Sequence, residues 1–335
     1  MVRPGESLTR RLQSGIRGTE RLARQVATHI QALPDLVANQ ATLARHLAVM
    51  EQGAFSRPCA CPPLSSRACC QADCGAEYAA WLNRLGLQTV INRKFWEYAA
   101  IGRALDAGGM LSPGRRGVGF GVGREPLVAA FAAAGCQIVA TDLHPDDSRA
   151  GSWARTNQHC LSLAGLQRPA VCPEDRLAAQ VEIRAVDMND IPAGLGGFDF
   201  CWSSCALEHL GSIDAGLDFI QRAMACLRPG GLAVHTTEFN LDSDTGTVMA
   251  GETVVYRRQD LARLGAALGA AGHHSEPFEV PPPTGVLDSY IDIRPYQYVA
   301  LLLRIGGYRA TSAVVVAQAG PRPAGGRLDR SHPAD

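Results

Sequence analysis

A run of alternating glycines constrains the fold of this chain more than any other part of its sequence. The glycines are Gly119, Gly121 and Gly123. Pro126 and an alanine-rich apolar run follow them, which is typical of a strand, a tight turn and a helix. Gly135 ends this run, and a short apolar segment after it is closed by Asp142. The order predicts two parallel strands joined by a helix, with Asp142 at the carboxyl end of the second strand.

A glycine turn after one strand and a carboxylate after the next are suited to binding a nucleoside. Bare amides in the turn can approach a ligand closely, and the carboxylate can accept hydrogen bonds from both ribose hydroxyls. The dinucleotide fingerprint requires the spacing G-x-G-x-x-G, whereas the spacing here is G-x-G-x-G in every register. A glycine turn that binds nothing stays open as an alternative at this point.

Composition limits the classes of protein to which the chain can belong. Its 335 residues are 46% hydrophobic and 19% charged with a formal net charge of zero, which indicates one large globular domain with additions. A balanced charge gives no general attraction for nucleic acid, so no nucleic-acid partner is expected. Eleven cysteines and a start without an apolar signal core predict reduced thiols in a cytoplasm. No run approaches the roughly 20 apolar residues of a membrane span.

The chain divides into four predicted segments. Residues 1–55 form a helical arm, with Leu22, Val26 and Ile30 on one face and an interruption at Pro34. We expect this arm to pack on its own domain or on a second subunit, which predicts a homo-oligomer through the N-terminal helices. The other three segments are a linker rich in cysteine and proline at 56–75, the main domain at 76–318 and a flexible tail at 319–335.

Five cysteines lie in or next to the linker: Cys59, Cys61, Cys69, Cys70 and Cys74. Thiolates at this density can furnish a tetrahedral zinc site. The spacing lacks paired C-x-x-C knuckles and a nearby histidine, so a linker with free thiols is the favoured interpretation and no metal is expected. The sequence leaves the zinc question open.

Strands and helices alternate after Asp142. Strands are predicted at 181–186, 198–204 and 232–237, with a helix at 213–227. This alternation predicts parallel strands covered by helices on both faces, with ligands outside the carboxyl ends of the strands.

The segment from 117 to 240 resembles the core of class I methyltransferases that use S-adenosylmethionine. The resemblance implies an α/β fold with a Rossmann-like, seven-stranded, mostly parallel sheet whose last strand, here 311–317, is antiparallel. It also implies that Asp142 binds the ribose hydroxyls and that Asp187 and Met188 bind the adenine. The full set of implied S-adenosylmethionine contacts is Gly119, Gly121, Gly123, Asp142, Asp187, Met188 and Ser204.

One position departs from the pattern of this family. The family usually has an acid two residues before the first glycine of the turn, and Gly117 stands there. Glu125 or the segment Lys94–Tyr98 is expected to substitute for that acid. Leu207-Glu208-His209 is similar to the small-molecule branch of the family. Enzymes that methylate nucleic-acid amines carry an Asp or Asn followed by Pro-Pro and an aromatic residue after the fourth strand, and this chain lacks that motif.

Three residues are candidates for the general base of a methyl transfer to a hydroxyl: His209, Glu238 and Asp292. His209 is preferred because its ordinary pKa of about 6.5 suits the task. Cys205 is interpreted as a small buried residue and not as a nucleophile. The acceptor is expected to contact 204–209, 238–240 and 288–298, including Tyr290 and Arg294.

The polar composition of these three segments favours a polyhydroxylated or carboxylated acceptor, either a small molecule or a saccharide, and O-methylation. Two other functions stay open: a nicotinamide-dinucleotide oxidoreductase, and a nucleotide-binding scaffold without catalysis.

Overall fold

The structure is a computed structural model. It describes residues 4–49, 54–59, 61–147, 149, 159–292 and 300–321. None of the helices in these ranges is both long enough and apolar enough to cross a membrane.

In the described part of the chain, three α-helices come before the strand at Arg116–Phe120, and helices then alternate with the parallel strands. They are α1 Pro4–Val49, α2 Ala76–Arg84, α3 Arg93–Ala107, α4 Leu127–Ala133, α5 Leu163–Leu166, α6 Glu174–Gln180, α7 Ile213–Ala225 and α8 Arg258–Ala270. Asn92 caps α3 by accepting hydrogen bonds from the amides of Lys94 and Phe95. Ser212 caps α7 in the same way.

The strands of the described residues form one sheet. They are β1 Arg67–Ala68, β2 Arg116–Phe120, β3 Gln137–Asp142, β4 Val181–Ala185, β5 Phe198–Ser203, β6 Leu227–Asn240, β7 His274–Ser275, β8 Ile291–Asp292, β9 Leu302–Ile305 and β10 Tyr308–Gln318. The order along the sheet is β4-β3-β2-β5-β6-β10-β9-β8, with β1 and β7 pairing with β10.

The predicted α/β fold is confirmed. Strands β2 to β6 pair in parallel, and β10 pairs antiparallel with β6. The seven strands from β4 to β9 form the mostly parallel sheet that the resemblance implies, and β1, β7 and β8 are additions of two residues each. Strand β6 begins at Leu227, five residues earlier than the predicted start at residue 232. Leu227 already pairs with Phe198 of β5, and the register shifts before Leu232 pairs with Phe200.

The glycines of β2 make room for aromatic rings on the neighbouring strand. Gly117 lies opposite Phe200 and Gly119 opposite Trp202 in the β2–β5 register. A Cβ atom at Gly117 would lie 2.3 Å from the Phe200 ring, and one at Gly119 would lie 2.4 Å from the Trp202 ring. The position where the family carries an acid is therefore filled by Phe200, which explains why glycine stands there.

The N-terminal arm is one continuous helix and is not interrupted at Pro34. Two polar side chains attach its C-terminal part to the sheet edge. Asp35 accepts two hydrogen bonds of 2.8 Å from the guanidinium of Arg304, and Asn39 exchanges hydrogen bonds with the backbone of Ile291. The predicted interruption is wrong: the proline removes only one backbone donor from the helix, and these contacts hold the residues that follow it.

The cysteines of the linker region do not form a metal cluster in the described residues. Cys69 and Cys74 are buried in the apolar core, and the Cys59 thiol donates to the backbone oxygen of Asp73. All of the cysteines are free thiols. This arrangement favours the interpretation of a linker with free thiols over that of a zinc site.

Candidate active site

The carboxyl ends of β2, β3, β4, β5 and β6 lie along one edge of the sheet, and the strand order reverses between β2 and β5. Ligands of open parallel sheets bind outside such a reversal. The glycine turn follows β2 at this point, and Gly121 and Gly123 both have positive φ, at 60° and 49°. A side chain at either position would strain the backbone.

The inner surface of the turn is also closely enclosed. A Cβ atom at Gly121 would lie 3.1 Å from Cβ of Ala206 and 3.3 Å from Sδ of Met188. Met188 is buried. The turn, the β4 end and the β5 end therefore converge on a narrow space at bare backbone, which fits a nucleoside-containing cofactor.

Asp142 closes β3, as predicted. Its Oδ1 accepts a hydrogen bond of 2.8 Å from the Leu143 amide, and its Oδ2 accepts one of 3.1 Å from the Cys160 amide. Burial raises the pKa of Asp142, against the backbone donors that lower it. A half-buried carboxylate fixed by amides is prepared to accept hydrogen bonds from vicinal hydroxyls.

Asp187 follows β4, but it has a partner that the sequence did not indicate. Its Oδ2 lies 2.7 Å from Nη2 of Arg149, which also contacts Asp147, and its Oδ1 accepts from the Asn189 amide. An adenine amino group would have to share Asp187 with Arg149 or displace it. The guanidinium of Arg149 is half exposed, so the exchange has a low cost.

Glu125 lies under the glycine turn and contacts β5. Its Oε1 accepts a hydrogen bond of 2.5 Å from Nε1 of Trp202. Burial raises the pKa of Glu125 to about 8, against the lowering effect of the Trp202 donor and the Lys94 ammonium. A buried carboxyl group is therefore present next to the glycine turn, as expected for a chain that lacks the acid at position 117.

A second group of polar side chains gathers at the ends of β5 and β6, where α3 crosses the sheet. The first turn of α3 supplies Arg93, Lys94 and Glu97. The Lys94 ammonium lies 3.3 Å from both the backbone oxygen and the hydroxyl of Ser204 and above the Tyr98 ring. Ser204, predicted to contact the cofactor, is thus held between α3 and the end of β5.

Glu97 is the centre of this group and is fully buried. Its Oε1 accepts from the Ser312 hydroxyl at 2.6 Å, and its Oε2 accepts from the Thr236 hydroxyl at 2.7 Å. Burial alone would raise the pKa of Glu97, but Lys94 and Arg93 outweigh it and hold the pKa below its ordinary value. Glu97 is therefore a permanent anion that fixes two cations and two strands.

Glu238, at the end of β6, differs from Glu97. Its Oε1 lies 2.5 Å from Nη1 of Arg93, whereas its buried Oε2 has no hydrogen-bond partner. Burial raises its pKa to about 7; Arg93 opposes the rise, and Glu208 and Glu97 add to it. The Glu208 side chain is also buried, and its Oε1 has no hydrogen-bond partner. Two buried oxygens without partners mark a place where a ligand is expected.

Cys205 links the two carboxylates. It is the one non-glycine residue with positive φ, at 51°, in the part of the chain that the structure describes. Its sulfur lies 3.4 Å from Oε1 of Glu97 and 3.6 Å from Oε1 of Glu238. Burial, with Glu208 and Glu97, raises the pKa of this thiol, so it is a neutral donor and a poor nucleophile.

The other two predicted bases, His209 and Asp292, have different surroundings from Glu238. Nδ1 of His209 lies 2.6 Å from the backbone oxygen of Glu252, and its Nε2 lies 3.8 Å from Oε1 of Glu208. Asp292 is buried on β8, three strands from β6, which corresponds to about 14 Å across the sheet. The structure thus brings His209 near the carboxylate cluster and keeps Asp292 apart from it.

The predicted acceptor segment 288–298 lies partly outside the described residues, which end at Asp292 and resume at residue 300. Arg294 lies in that gap. Tyr290 is buried in the apolar core, and Asp288 accepts hydrogen bonds from the amides of Gln71 and Gly285. The described part of the segment therefore attaches the sheet edge to the linker.

The donor atoms of Cys205, Glu208 and Glu238 lie within 4.8 Å of one another, which is close enough to hold a metal ion. Two cations, Arg93 and Lys94, already balance much of the negative charge there. The cations therefore already neutralise part of the charge that would attract a metal ion.

The sequence analysis did not predict that Glu97 would contact both Arg93 and Ser312. The i, i+4 spacing of Arg93 and Glu97 was a signal for an ion pair on one helix face. Nothing local connects that pair with Ser312, which lies more than 200 residues away in the sequence.

Comparison with known proteins agrees with this geometry. Residues 117–235 match a family model described as a methyltransferase domain. No curated protein matches the sequence. Solved structures that resemble this chain share little sequence with it.

One is a structure provisionally assigned as a sarcosine dimethylglycine methyltransferase from Galdieria sulphuraria, with 14% identity and a TM-score of 0.43, covering 74% of this chain and 100% of that one. Another is magnesium protoporphyrin IX methyltransferase from Synechocystis, with 14% identity, a TM-score of 0.40 and coverage of 72% and 94%. A third is an O-methyltransferase family protein from Burkholderia thailandensis, with 15% identity and a TM-score of 0.38; 66% of this chain covers 59% of that one.

The glycine turn, the acids at the ends of β3 and β4 and the antiparallel β10 define a class I methyltransferase fold. The family match places residues 117–235 in a methyltransferase domain family. The chain is an S-adenosylmethionine-dependent methyltransferase, and S-adenosylmethionine is its cofactor.

Proposed function

We propose that this enzyme methylates a hydroxyl group of a polar small molecule or saccharide, with Glu238 as the general base. The observation that carries the proposal is the unpaired, buried Oε2 of Glu238 at the end of β6. A carboxylate with a pKa near 7 is matched to proton removal at neutral pH. Glu238 is favoured over His209, whose Nδ1 is hydrogen-bonded to a backbone oxygen, and over Asp292 on its distant strand.

The division of the edge supports separate places for cofactor and acceptor. Gly119, Gly121, Gly123, Asp142, Asp187 and Met188 would hold the cofactor at the ends of β2, β3 and β4. When bound, S-adenosylmethionine supplies a methyl group on a positively charged sulfur, so the chain has little covalent chemistry to perform. The methyl group would have to face the ends of β5 and β6, where Ser204 and Glu238 lie.

The residues of the chain then have three tasks. Arg93 holds Oε1 of Glu238 and leaves Oε2 free to receive the hydroxyl proton of the acceptor. Glu97 holds Arg93 and Lys94 in place without being protonated itself. The buried surroundings exclude water, which strengthens each of these charged contacts.

The chemistry of this group favours a polar acceptor. Each unpaired oxygen or cation penalises an apolar ligand, and hydroxyl groups can pair with Glu208, Glu238 and Lys94. A saccharide or a small polyol satisfies these groups at several points. A cytoplasmic location, which the free thiols favour, belongs to the same proposal.

The test measures methyl transfer from labelled S-adenosylmethionine to a panel of polyols, saccharides and hydroxy acids. For the best acceptor, kcat/KM should rise with pH through about 7, because Glu238 must lose its proton before it can act. Glu238→Gln should lower kcat by about 10²- to 10⁴-fold and abolish that rise. Calorimetry should show that the Glu238→Gln variant binds S-adenosylhomocysteine with an affinity within about twofold of that of the unaltered enzyme.

Two control results decide the proposal. Glu276→Gln, at an exposed carboxylate, should leave kcat and the pH profile unchanged. If His209→Gln removes the pH dependence while Glu238→Gln keeps it, the base is His209. Transfer to amines but to no hydroxyl compound would overturn the assignment to O-methylation.

A further inference from the structure

Helix α1 is amphipathic, but its two faces are arranged in the opposite way to those of an ordinary surface helix. The face that contacts its own domain is polar and buried, and it consists of Asp35, Asn39 and Thr42. The opposite face carries large aliphatic side chains that are about half exposed or more: Leu22, Val26, Ile30, Leu33, Leu36, Val37 and Leu43. A surface helix normally turns its apolar stripe toward the core.

Much of the helix has no support from its own chain. All 46 residues would span about 69 Å, and every residue from 18 to 31 is exposed. Most helical stability in proteins comes from tertiary packing of an amphipathic face, and residues 18–31 have no such packing within their own chain. The exposed stripe therefore requires a partner.

The spacing of the stripe indicates what the partner is. If Ile16 is assigned to heptad position a, apolar residues fill nine of the eleven a and d positions from 12 to 47. They are Leu12, Ile16, Ala23, Val26, Ile30, Leu33, Val37, Ala44 and Leu47. Thr19 and Gln40 occupy the other two, and isolated polar residues in such a seam fix the register of a coiled coil.

Residue types and charges fit a second copy of the same helix. Ile30 and Val37 at a and Leu33 at d follow the preference of parallel two-stranded coils. The arginines of the helix, Arg10, Arg11, Arg17, Arg21, Arg24 and Arg45, fall at the outer positions b, c and f. No like charges would therefore face each other across the seam of two identical helices. The helix contains no aromatic residue, which a helix lying on a membrane commonly uses on its apolar face.

We propose that α1 pairs with α1 of a second copy in a parallel coiled coil, so that the enzyme is a dimer. The seam lies opposite the polar face that holds the methyltransferase domain, and both contacts can therefore be made at once. The exposed stripe from Leu22 to Leu43 spans about 32 Å along the helix, and two such stripes offer an area in the range of stable dimer interfaces. The contact of Asn39 with Ile291 would connect this dimer to the sheet edge next to Asp292.

The test measures the mass of the full-length enzyme by light scattering and sedimentation at micromolar concentration. The unaltered enzyme should have twice the mass of the chain. Ile30→Glu places a charge in the middle of the seam and should raise the dimer dissociation constant by at least about a hundredfold. Thr28→Glu introduces the same charge at outer position f and should leave the dimer intact.

Two further measurements separate dimer loss from unfolding and fix the orientation. The Ile30→Glu enzyme should keep its S-adenosylhomocysteine affinity, since Ile30 is exposed on α1 and is not among the residues of the proposed site. Val37→Cys should form a disulfide-linked dimer under mild oxidation, because an a position away from the middle of the seam meets its own copy only in a parallel pair, and Thr28→Cys should not. A monomeric unaltered enzyme, with or without binding to anionic vesicles, would overturn the proposal, and so would equal dissociation by Thr28→Glu.

Discussion

The proposed cofactor half of the active-site edge, at the ends of β2 to β4, is made chiefly of backbone, whereas the proposed acceptor half, at the ends of β5 and β6, is made of buried charged side chains. In the first half, Gly121 and Asp142 act through short local segments. In the second half, Glu97 on α3 is hydrogen-bonded to Ser312 on β10, which lies 215 residues away in sequence. The difference teaches that the cofactor contacts come from short consecutive segments, whereas the charged cluster proposed for the acceptor is formed by residues far apart in the sequence.

The largest effect is expected in the acceptor half. Glu97→Gln removes the anion that holds Arg93 and Lys94, and the loss of one partner from a buried ionic group typically costs about 3–5 kcal/mol. Urea unfolding should show this loss. Glu182→Gln, which breaks an exposed pair with Arg184, should cost less than about 1 kcal/mol. Equal stability of the two variants would mean that Glu97 does not organise the acceptor half.

A smaller effect is expected from crowding in the cofactor half. In Gly119→Ala the new Cβ would lie 2.4 Å from the Trp202 ring and 2.5 Å from Val122, and such overpacking costs about 1–3 kcal/mol of stability. Calorimetry should also show weaker S-adenosylhomocysteine binding, because the turn must shift. Gly194→Ala is the matched control, since nothing lies within 4 Å of a Cβ there and its φ is not positive.

Loss of a single cofactor contact should change the stability of the fold less than crowding does, and its main effect should be on cofactor binding. Asp142→Ala is expected to weaken S-adenosylhomocysteine binding by about 1–3 kcal/mol, because two hydroxyl groups lose their acceptor in a closed site. Asp187→Ala should cost less, since Arg149 already occupies one of its oxygens. The exposed Asp146→Ala serves as the control in the same region. Unchanged binding in both site variants would place the cofactor elsewhere.

The two halves also differ in how far the sequence could predict them. The glycine turn and Asp142 lie in consecutive elements, so spacing alone was enough to anticipate them. The Glu97 cluster depends on where α3 crosses β6 and β10, which tertiary packing decides. The long β6 and the unbroken α1 were missed for the same reason, because pairing with β5 and contacts with Arg304 override the local signals of Gly230 and Pro34.

Trp202→Phe should have the smallest effect near pH 6, and this effect should depend on pH. The variant keeps the aromatic packing but removes the donor to Oε1 of Glu125, which costs about 1 kcal/mol while that carboxyl is protonated. The pKa of Glu125 is about 8 in the folded enzyme, so above pH 8 the lost bond is one to a carboxylate and the cost should approach about 2–3 kcal/mol.

The same shift gives the enzyme a stability that falls with rising pH, because Glu125 ionises near its ordinary pKa when unfolded but only near pH 8 when folded. Thermal unfolding at pH 6 and pH 9 measures both trends. In a Glu125→Gln background the cost of Trp202→Phe should become independent of pH, since no ionisable partner is left. A cost that still grows with pH in that background would assign the titration to a group other than Glu125.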